Sequence, residues 1–388
     1  MKKSIVAIRD LLFNGFVTIR SNFSKNNKKI TVGFIAGAND GITGSPKILF
    51  EAMEKDNRFF TYWVRQTKEG NKNFEKKKLE SYYRRTFSNI GLFLSTDIWI
   101  TTHGDFGIPI DYRRYKQKRM ELWHGIPFKG FLKENRKQIS DSFNRSSTVV
   151  ITSSFFKEIF SKEWDVKEGV LKDLGQPRTD MLINKTRSKE KIKQKLGISQ
   201  KKIVFYAPTH EQDGGVDKPL FPWNSDDTIK KILNSIDSET SLIIRPHPYW
   251  KELITPLVEE KIKNDERVYY MPSSVVNETE DLIYISDVLI TDWSSIYFDF
   301  LLMNKPTIFL DLPNPFKDNF LMKPEERIGY LSSSSRELAE HINEALNDFQ
   351  KYSHKYGKEL ENIKTKTYSN IDGKSTERCI SEIIRLVT

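Results

Sequence analysis

The stretch Val288-Leu289-Ile290-Thr291-Asp292-Trp293-Ser294-Ser295-Ile296-Tyr297-Phe298-Asp299 changes its hydrophobic period in mid-run. Residues 287–291 read as a short buried strand and 294–303 carry helical spacing, with Asp292 or Ser294 as a suitable N-cap between them. A strand that runs into a helix start is the building unit of a parallel α/β sheet, and open sheets of that kind bind ligands outside the carboxyl ends of their strands. Backbone N–H groups at the helix start, joined by the Ser294 and Ser295 hydroxyls, suit phosphate oxygens. Asp299 follows Ser295 by four residues, one turn deeper on the same face, where a carboxylate accepts hydrogen bonds from substrate hydroxyls.

The same pattern recurs along the chain. Short apolar runs at 203–206, 242–245, 267–271 and 307–310 flank that stretch, and runs at 30–36, 59–64, 97–101, 119–123 and 148–152 precede it, separated by charged, helix-like segments. Gly175-Gln176-Pro177-Arg178 and the polar run 184–195 divide the two sets and mark an interdomain hinge. A length of 388 residues exceeds what one core usually organises. The expected fold class is therefore α/β, with two Rossmann-like domains at 26–177 and 178–334 and closing helices at 335–388.

A net charge of +10 points to an anionic partner, and one cysteine, Cys379, excludes an intrachain disulfide framework and fits a reducing cytoplasm. No run of about 18 apolar residues exists to span a bilayer. In residues 1–25, Ile5, Ile8, Leu12, Phe16 and Ile19 recur at helical steps, with Lys2, Lys3, Arg9 and Arg20 as a basic border. That helix suits an anionic membrane surface and equally suits packing on its own domain. The lysine-rich run 68–78 reads as a solvated face.

Three further motifs end strands. In Arg245-Pro246-His247-Pro248 the prolines hold the arginine and the imidazole in one rigid turn, a pairing suited to phosphate charge. In Trp123-His124-Gly125-Ile126-Pro127 the glycine clears space beside His124, which becomes the first choice for a general base, with His247 as the second. Tyr206-Ala207-Pro208-Thr209-His210 closes another strand. Thr102-His103-Gly104 supplies a weaker competitor for the base, while His341 and His354 sit in charged helical sequence. Two imidazoles, a guanidinium and paired hydroxyls at strand ends suit a diphosphate.

Taken in order, WHGIPFK, GQPRTD, YAPT, RPHP and TDWSSIYFDF resemble the CDP-glycerol glycerophosphotransferase family, which includes teichoic-acid primases and polymerases. The resemblance, over residues 30–310, implies a glycosyltransferase-B-like pair of domains with an active-site cleft between them. It also implies a CDP-glycerol or related CDP-polyol donor, a polyprenyl-diphosphate-linked acceptor, and a peripheral location on the cytoplasmic face of the membrane. Carried across motif by motif, the donor site comprises Trp123, His124, Gly125, Ile126, Pro127, Arg178, Pro208, Thr209, Arg245, Pro246, His247, Ser294, Ser295 and Asp299. The chain departs from the pattern at His210-Glu211, where an aromatic residue and an arginine are common, and at Ile126, where a threonine is common.

No Asp-X-Asp pair ends a strand and no metal ligands cluster, so transfer without a metal or other cofactor is expected. A sugar-nucleotide glycosyltransferase would share this architecture but form a glycosidic bond. A nucleic-acid partner is not expected, since no zinc finger or RNP-like aromatic motif accompanies the charge. A non-catalytic membrane scaffold would leave the strand-end motifs without a purpose.

Overall fold

The computed structural model describes residues 29–35, 37, 41–68, 80–128, 133–209, 226–246, 265–313 and 321–388. Thirteen strands are described, β1 Ile30–Ile35, β2 Phe59–Arg65, β3 Ser81–Tyr83, β4 Ile98–Thr101, β5 Lys118–Glu121, β6 Thr148–Ile151, β7 Leu171–Asp173, β8 Lys202–Tyr206, β9 Thr240–Ile244, β10 Val268–Tyr270, β11 Val288–Thr291, β12 Thr307–Leu310 and β13 Tyr330–Ser332. They form two sheets, ordered β3-β2-β1-β4-β5-β6-β7 and β10-β9-β8-β11-β12-β13. The pairing is parallel across both sheets, from β1 with β2 and β4 to β12 with β13. Each order reverses once, between β1 and β4 and between β8 and β11, and a crevice opens at such a reversal.

Central strands such as β4, β8, β9 and β11 are buried on both faces, which is why they read as continuous apolar runs rather than alternating ones. Val32, Phe34, Ile98, Ile100 and Met120 pack one face of the first sheet, while Tyr62, Val64, Phe93 and Trp99 pack the other. The second sheet is sandwiched in the same way, by one layer around Ile232, Ile244 and Ile290 and another around Phe205, Ile283 and Phe300. A further apolar layer belongs to both halves. Trp123 and Phe128 from after β5 pack there with Tyr297, Phe298 and Met322, and the Phe128 and Phe298 ring centroids are 4.6 Å apart.

The last three helices tie the halves together. Ser335–Asn347 buries Leu338 and Ile342 on the second sheet, and Phe349–Thr367 follows it. The Ser369 amide donates to the Thr152 carbonyl at 2.8 Å. Ser375–Val387 then buries Cys379 and Ile383 against Val32, Phe34 and Met53 of the first sheet. Burial raises the Cys379 thiol pKa far above its ordinary value, as fits an inert core residue.

Strands β3, β7 and β13 were not expected from the sequence. Each is three residues long and includes polar residues, without the apolar run that marked the equally short β10. The strand expected at 119–123 stops at Glu121, because Trp123 turns the chain with φ +57°. The helix expected from Ser294 is Ile296–Leu301, with Ser295 as N-cap. The amphipathic helix expected at 1–25, residues 69–78 of the lysine run, His210-Glu211 and His247 lie outside the described residues. Among the described residues no helix is long and apolar enough to cross a membrane.

Candidate functional site

The carboxyl edges of the two sheets face each other across a cleft of about 430 Å³. From the first half it is lined by the start of the helix Gly44–Glu54, by Thr102 and His103 after β4, and by Trp123 and His124 after β5. The second half contributes Ala207 and Pro208 after β8, Arg245 and Pro246 after β9, and Ser294 and Ser295 after β11. Arg178, Glu280 and Asp299 complete the wall.

His124 is held by a strained turn. Trp123 adopts a left-handed conformation that a bulky residue keeps only when its surroundings demand it. Glu121, fully buried, supplies that demand. One carboxylate oxygen accepts from the Trp123 amide at 3.2 Å, and the other accepts from the Thr101 hydroxyl at 2.6 Å and the Gly104 amide at 2.9 Å. Beyond the turn the His124 ring lies in the cleft, 3.9 Å from the Trp123 ring and stacked on His103 at 4.7 Å with 6° between the planes. His124 Nδ1 lies 3.4 Å from the Thr102 carbonyl, an acceptor that favours the Nδ1–H tautomer. At Gly125 a Cβ would sit 3.3 Å from Arg178 Nη2 and 3.5 Å from Ser295 Oγ, so the glycine permits close approach of the two halves.

Arg178 spans the cleft floor. Its Nη1 donates to the His124 carbonyl at 2.7 Å, and its Nη2 lies 3.0 Å and 3.2 Å from the two Asp299 carboxylate oxygens. Burial alone would lower its pKa, but the Asp299 and Glu280 carboxylates hold it above its ordinary value. The Arg178 Nε is buried without a partner among the described residues. Asp299 also meets the buried Tyr368 hydroxyl at 3.5 Å. Its carboxylate is thus largely occupied by the protein itself, whereas the sequence reading reserved it for substrate.

Arg245 has a different environment. Its Nη1 donates to the neutral carbonyls of Met271 and Val276, at 3.2 and 2.7 Å. Burial pulls its pKa down to about 10 against the opposing pull of the Glu280 and Glu278 carboxylates. Nearby, burial raises the Glu280 carboxyl above its ordinary value against the opposing pull of Arg178. Asp292 does not cap the helix. Its Oδ1 accepts from the Thr209 amide at 2.7 Å and the Trp293 amide at 2.6 Å, binding the turn after β8 to the turn after β11. Burial moves its pKa up to about 6.

Most of the sequence-derived site residues converge on the cleft, namely Trp123, His124, Gly125 at its rim, Arg178, Pro208, Arg245, Pro246, Ser294, Ser295 and Asp299. Ile126 packs instead into the shared core, with Pro127 half-buried beside it. That explains an apolar residue where a threonine is common in related motifs. Thr209 is fixed through its amide. Sequence reasoning missed Glu121, Asp292's bridging role and Glu280. A carboxylate inside the apolar run 119–123 was the available signal for Glu121, and nothing local distinguishes Glu280 from a surface helix glutamate.

Comparison with known proteins adds three findings. The family model described as CDP-Glycerol:Poly(glycerophosphate) glycerophosphotransferase matches residues 17–385. Among curated proteins, a teichoic acid poly(glycerol phosphate) polymerase of Bacillus spizizenii is 27% identical over 68% of this chain and 69% of its own length. A teichoic acid glycerol-phosphate transferase of Staphylococcus aureus is 27% identical over 51% of this chain and 53% of its own length, and a teichoic acid poly(ribitol-phosphate) polymerase of Bacillus spizizenii is 21% identical over 93% and 56%. Among solved structures, the wall teichoic acid polymerase TagF superposes with a TM-score of 0.76 at 19% identity, covering 100% of this chain and 97% of that one. The Anabaena protein Alr3699/HepE, in complex with UDP and glucose, superposes at 0.53 and 14% identity over 92% and 100%. These two likenesses show the fold, a glycosyltransferase-B-like pair of parallel-sheet domains.

Proposed function

We propose, from the premise that the chain belongs to the CDP-glycerol:poly(glycerophosphate) glycerophosphotransferase family, that it transfers a polyol phosphate from a CDP-polyol, with CDP-glycerol the leading donor and CDP-ribitol the alternative, to a membrane-linked acceptor of teichoic-acid synthesis. One observation carries this reading. Strand-end motifs from both halves line one cleft that offers a solvent-facing imidazole on one wall and a half-buried guanidinium with two hydroxyls on the other.

The chemistry follows from those groups. An acceptor hydroxyl loses its proton to His124 Nε2 while its oxygen bonds to the polyol-bearing phosphorus, and the bond from that phosphorus to the bridging oxygen breaks, releasing CMP. Arg245 with the Ser294 and Ser295 hydroxyls offsets the charge that builds on the diphosphate. Trp123 and Glu121 keep the imidazole aimed, and Arg178 holds the His124 backbone against Asp299. The second candidate base, His247, lies outside the described residues. A larger loss of turnover in His247→Ala than in His124→Ala, at unchanged donor binding, would move the base to that residue.

Donor screening tests the reading. The purified protein is incubated with CDP-glycerol, CDP-ribitol and common UDP-sugars together with a lipid-linked acceptor analogue, and nucleotide release and the product linkage are measured. CMP release with a phosphodiester product is expected. UDP release with a glycosidic product would replace the reading by sugar transfer.

A further inference from the structure

The sequence reserves Asp299 for substrate hydroxyls, but the fold commits that carboxylate to Arg178 and the Tyr368 hydroxyl. The cleft holds a second carboxyl that fits the role. Glu280 stands in the first turn of the helix Thr279–Ile285 and lines the cleft, yet it is only 8% exposed. The two cations that act on it are engaged elsewhere, Arg178 with the His124 carbonyl and Asp299, and Arg245 Nη1 with the Met271 and Val276 carbonyls. Among the described residues no other side chain donates to the Glu280 carboxyl and no ion pair reaches it; the hydrogen bond it accepts comes from its own backbone amide. A carboxyl taken from water and given so few donors is costly to bury, and a ligand's donor removes that cost.

The opposite wall stays clear of it. A Cβ on Gly44, at the start of the helix Gly44–Glu54, would lie 3.6 Å from Glu280 Oε1 and 4.0 Å from Arg178 Cδ. Gly44 has φ +64°, where glycine is favoured, so the first half meets the carboxyl with bare backbone. The chemistry of the gap selects its occupant. Arg178 and Arg245 disfavour a cationic group beside the carboxyl, and the carboxyl itself disfavours an anionic one. A neutral donor fits, and a CDP-polyol carries hydroxyls on its ribose and on its polyol. We propose that Glu280 binds the donor, its carboxyl accepting a hydrogen bond from one of those hydroxyls. The inference rests on the cytidine-donor reading given above.

Calorimetric titration of the full chain with CDP-glycerol, CDP and 2′,3′-dideoxycytidine diphosphate tests it. Glu280→Ala should weaken CDP-glycerol binding by about 10- to 100-fold, the range for hydrogen bonds to a charged group. Glu280→Gln, which keeps the side chain's length and one oxygen acceptor, should recover part of that loss. A loss for CDP-glycerol that CDP does not share assigns the bond to the polyol. A loss common to CDP-glycerol and CDP that the dideoxy nucleotide escapes assigns it to the ribose. Unchanged CDP-glycerol affinity in Glu280→Ala, or an equal change for all three ligands, would overturn the proposal, since a role in folding or in holding the diphosphate does not distinguish them. If Glu280→Ala does not fold, as judged by circular dichroism, Glu280→Gln is compared with wild type in the same titrations, and the ligand-selective loss is still required. Wild-type protein that binds none of the three would remove the cytidine-donor reading, and this inference with it.

Discussion

At the residue scale, burial has moved the pKa values of Asp292 and Arg245 away from their ordinary values. Asp292 has a folded pKa of about 6 against an ordinary 3.8. Between those pH values the folded chain keeps a proton that the unfolded chain has lost, so stability from this group is full below the lower value and declines as pH rises through the upper one, by about 3 kcal/mol. Asp292→Asn retains an amide oxygen for the Thr209 and Trp293 N–H groups and cannot ionise. Urea denaturation from roughly pH 4 to 7 should therefore show wild type losing stability relative to the variant as pH rises. Parallel curves would mean that the carboxyl is not desolvated as its two backbone bonds suggest. The presence of Asp292 in the sequence was plain, but its role was not. Capping a following helix and tying two strand ends together both use a short acceptor after a strand, and only the position of the Thr209 amide separates them.

At the element scale, the second sheet offers Arg245 after β9 and the serine pair after β11, with β8 between those strands. If a diphosphate bridges them, Ser294→Ala with Ser295→Ala removes two hydroxyl donors and should weaken CDP-glycerol binding by about 0.5–3 kcal/mol. Arg245→Ala should cost more, since it removes the buried cation. Calorimetric titration checks both, and wild-type affinity in the two folded variants would locate the diphosphate elsewhere. Central strands and their exits were legible because strands buried on both faces read as unbroken apolar runs that stop at glycine, proline or serine. The edge strand β3, Ser-Tyr-Tyr, was not, since it lies between Glu80 and Arg84 and forms no apolar run, whereas the edge strand β10 lies within Val268 to Met271. The shift of the helix start from Ser294 to Ile296 has a similarly local origin. Asp292 and Trp293 are committed to the strand-end turn, and the Ile296 amide reaches back to Ser294 Oγ only at 3.5 Å.

At the scale of the whole molecule, the two halves share packing as well as a cleft. Phe128 stacks on Tyr297 and packs at a tilt against Phe298, its carbonyl accepts from the Leu321 amide at 2.9 Å, and Lys47 pairs with Glu278 at 2.9 Å. Phe128→Ala should lower unfolding stability by about 3–5 kcal/mol and make the transition less cooperative. An unchanged single transition in differential scanning calorimetry would show that the halves do not depend on this contact. None of this cross-packing could be read from the chain, because Phe128 and Phe298 are far apart in sequence and each looks like an ordinary core residue of its own half. The ordered motifs did carry the two-sheet architecture and the convergence of His124 and Arg245 on one cleft. Their chemical meaning is tested most directly by single-turnover CMP release from CDP-glycerol, measured for wild type and His124→Ala beside calorimetric binding of the same donor. The account predicts equal binding and a rate lower by about 10²- to 10⁴-fold in the variant. Near-wild-type release by His124→Ala, or no release by the wild type from any CDP-polyol, would contradict it.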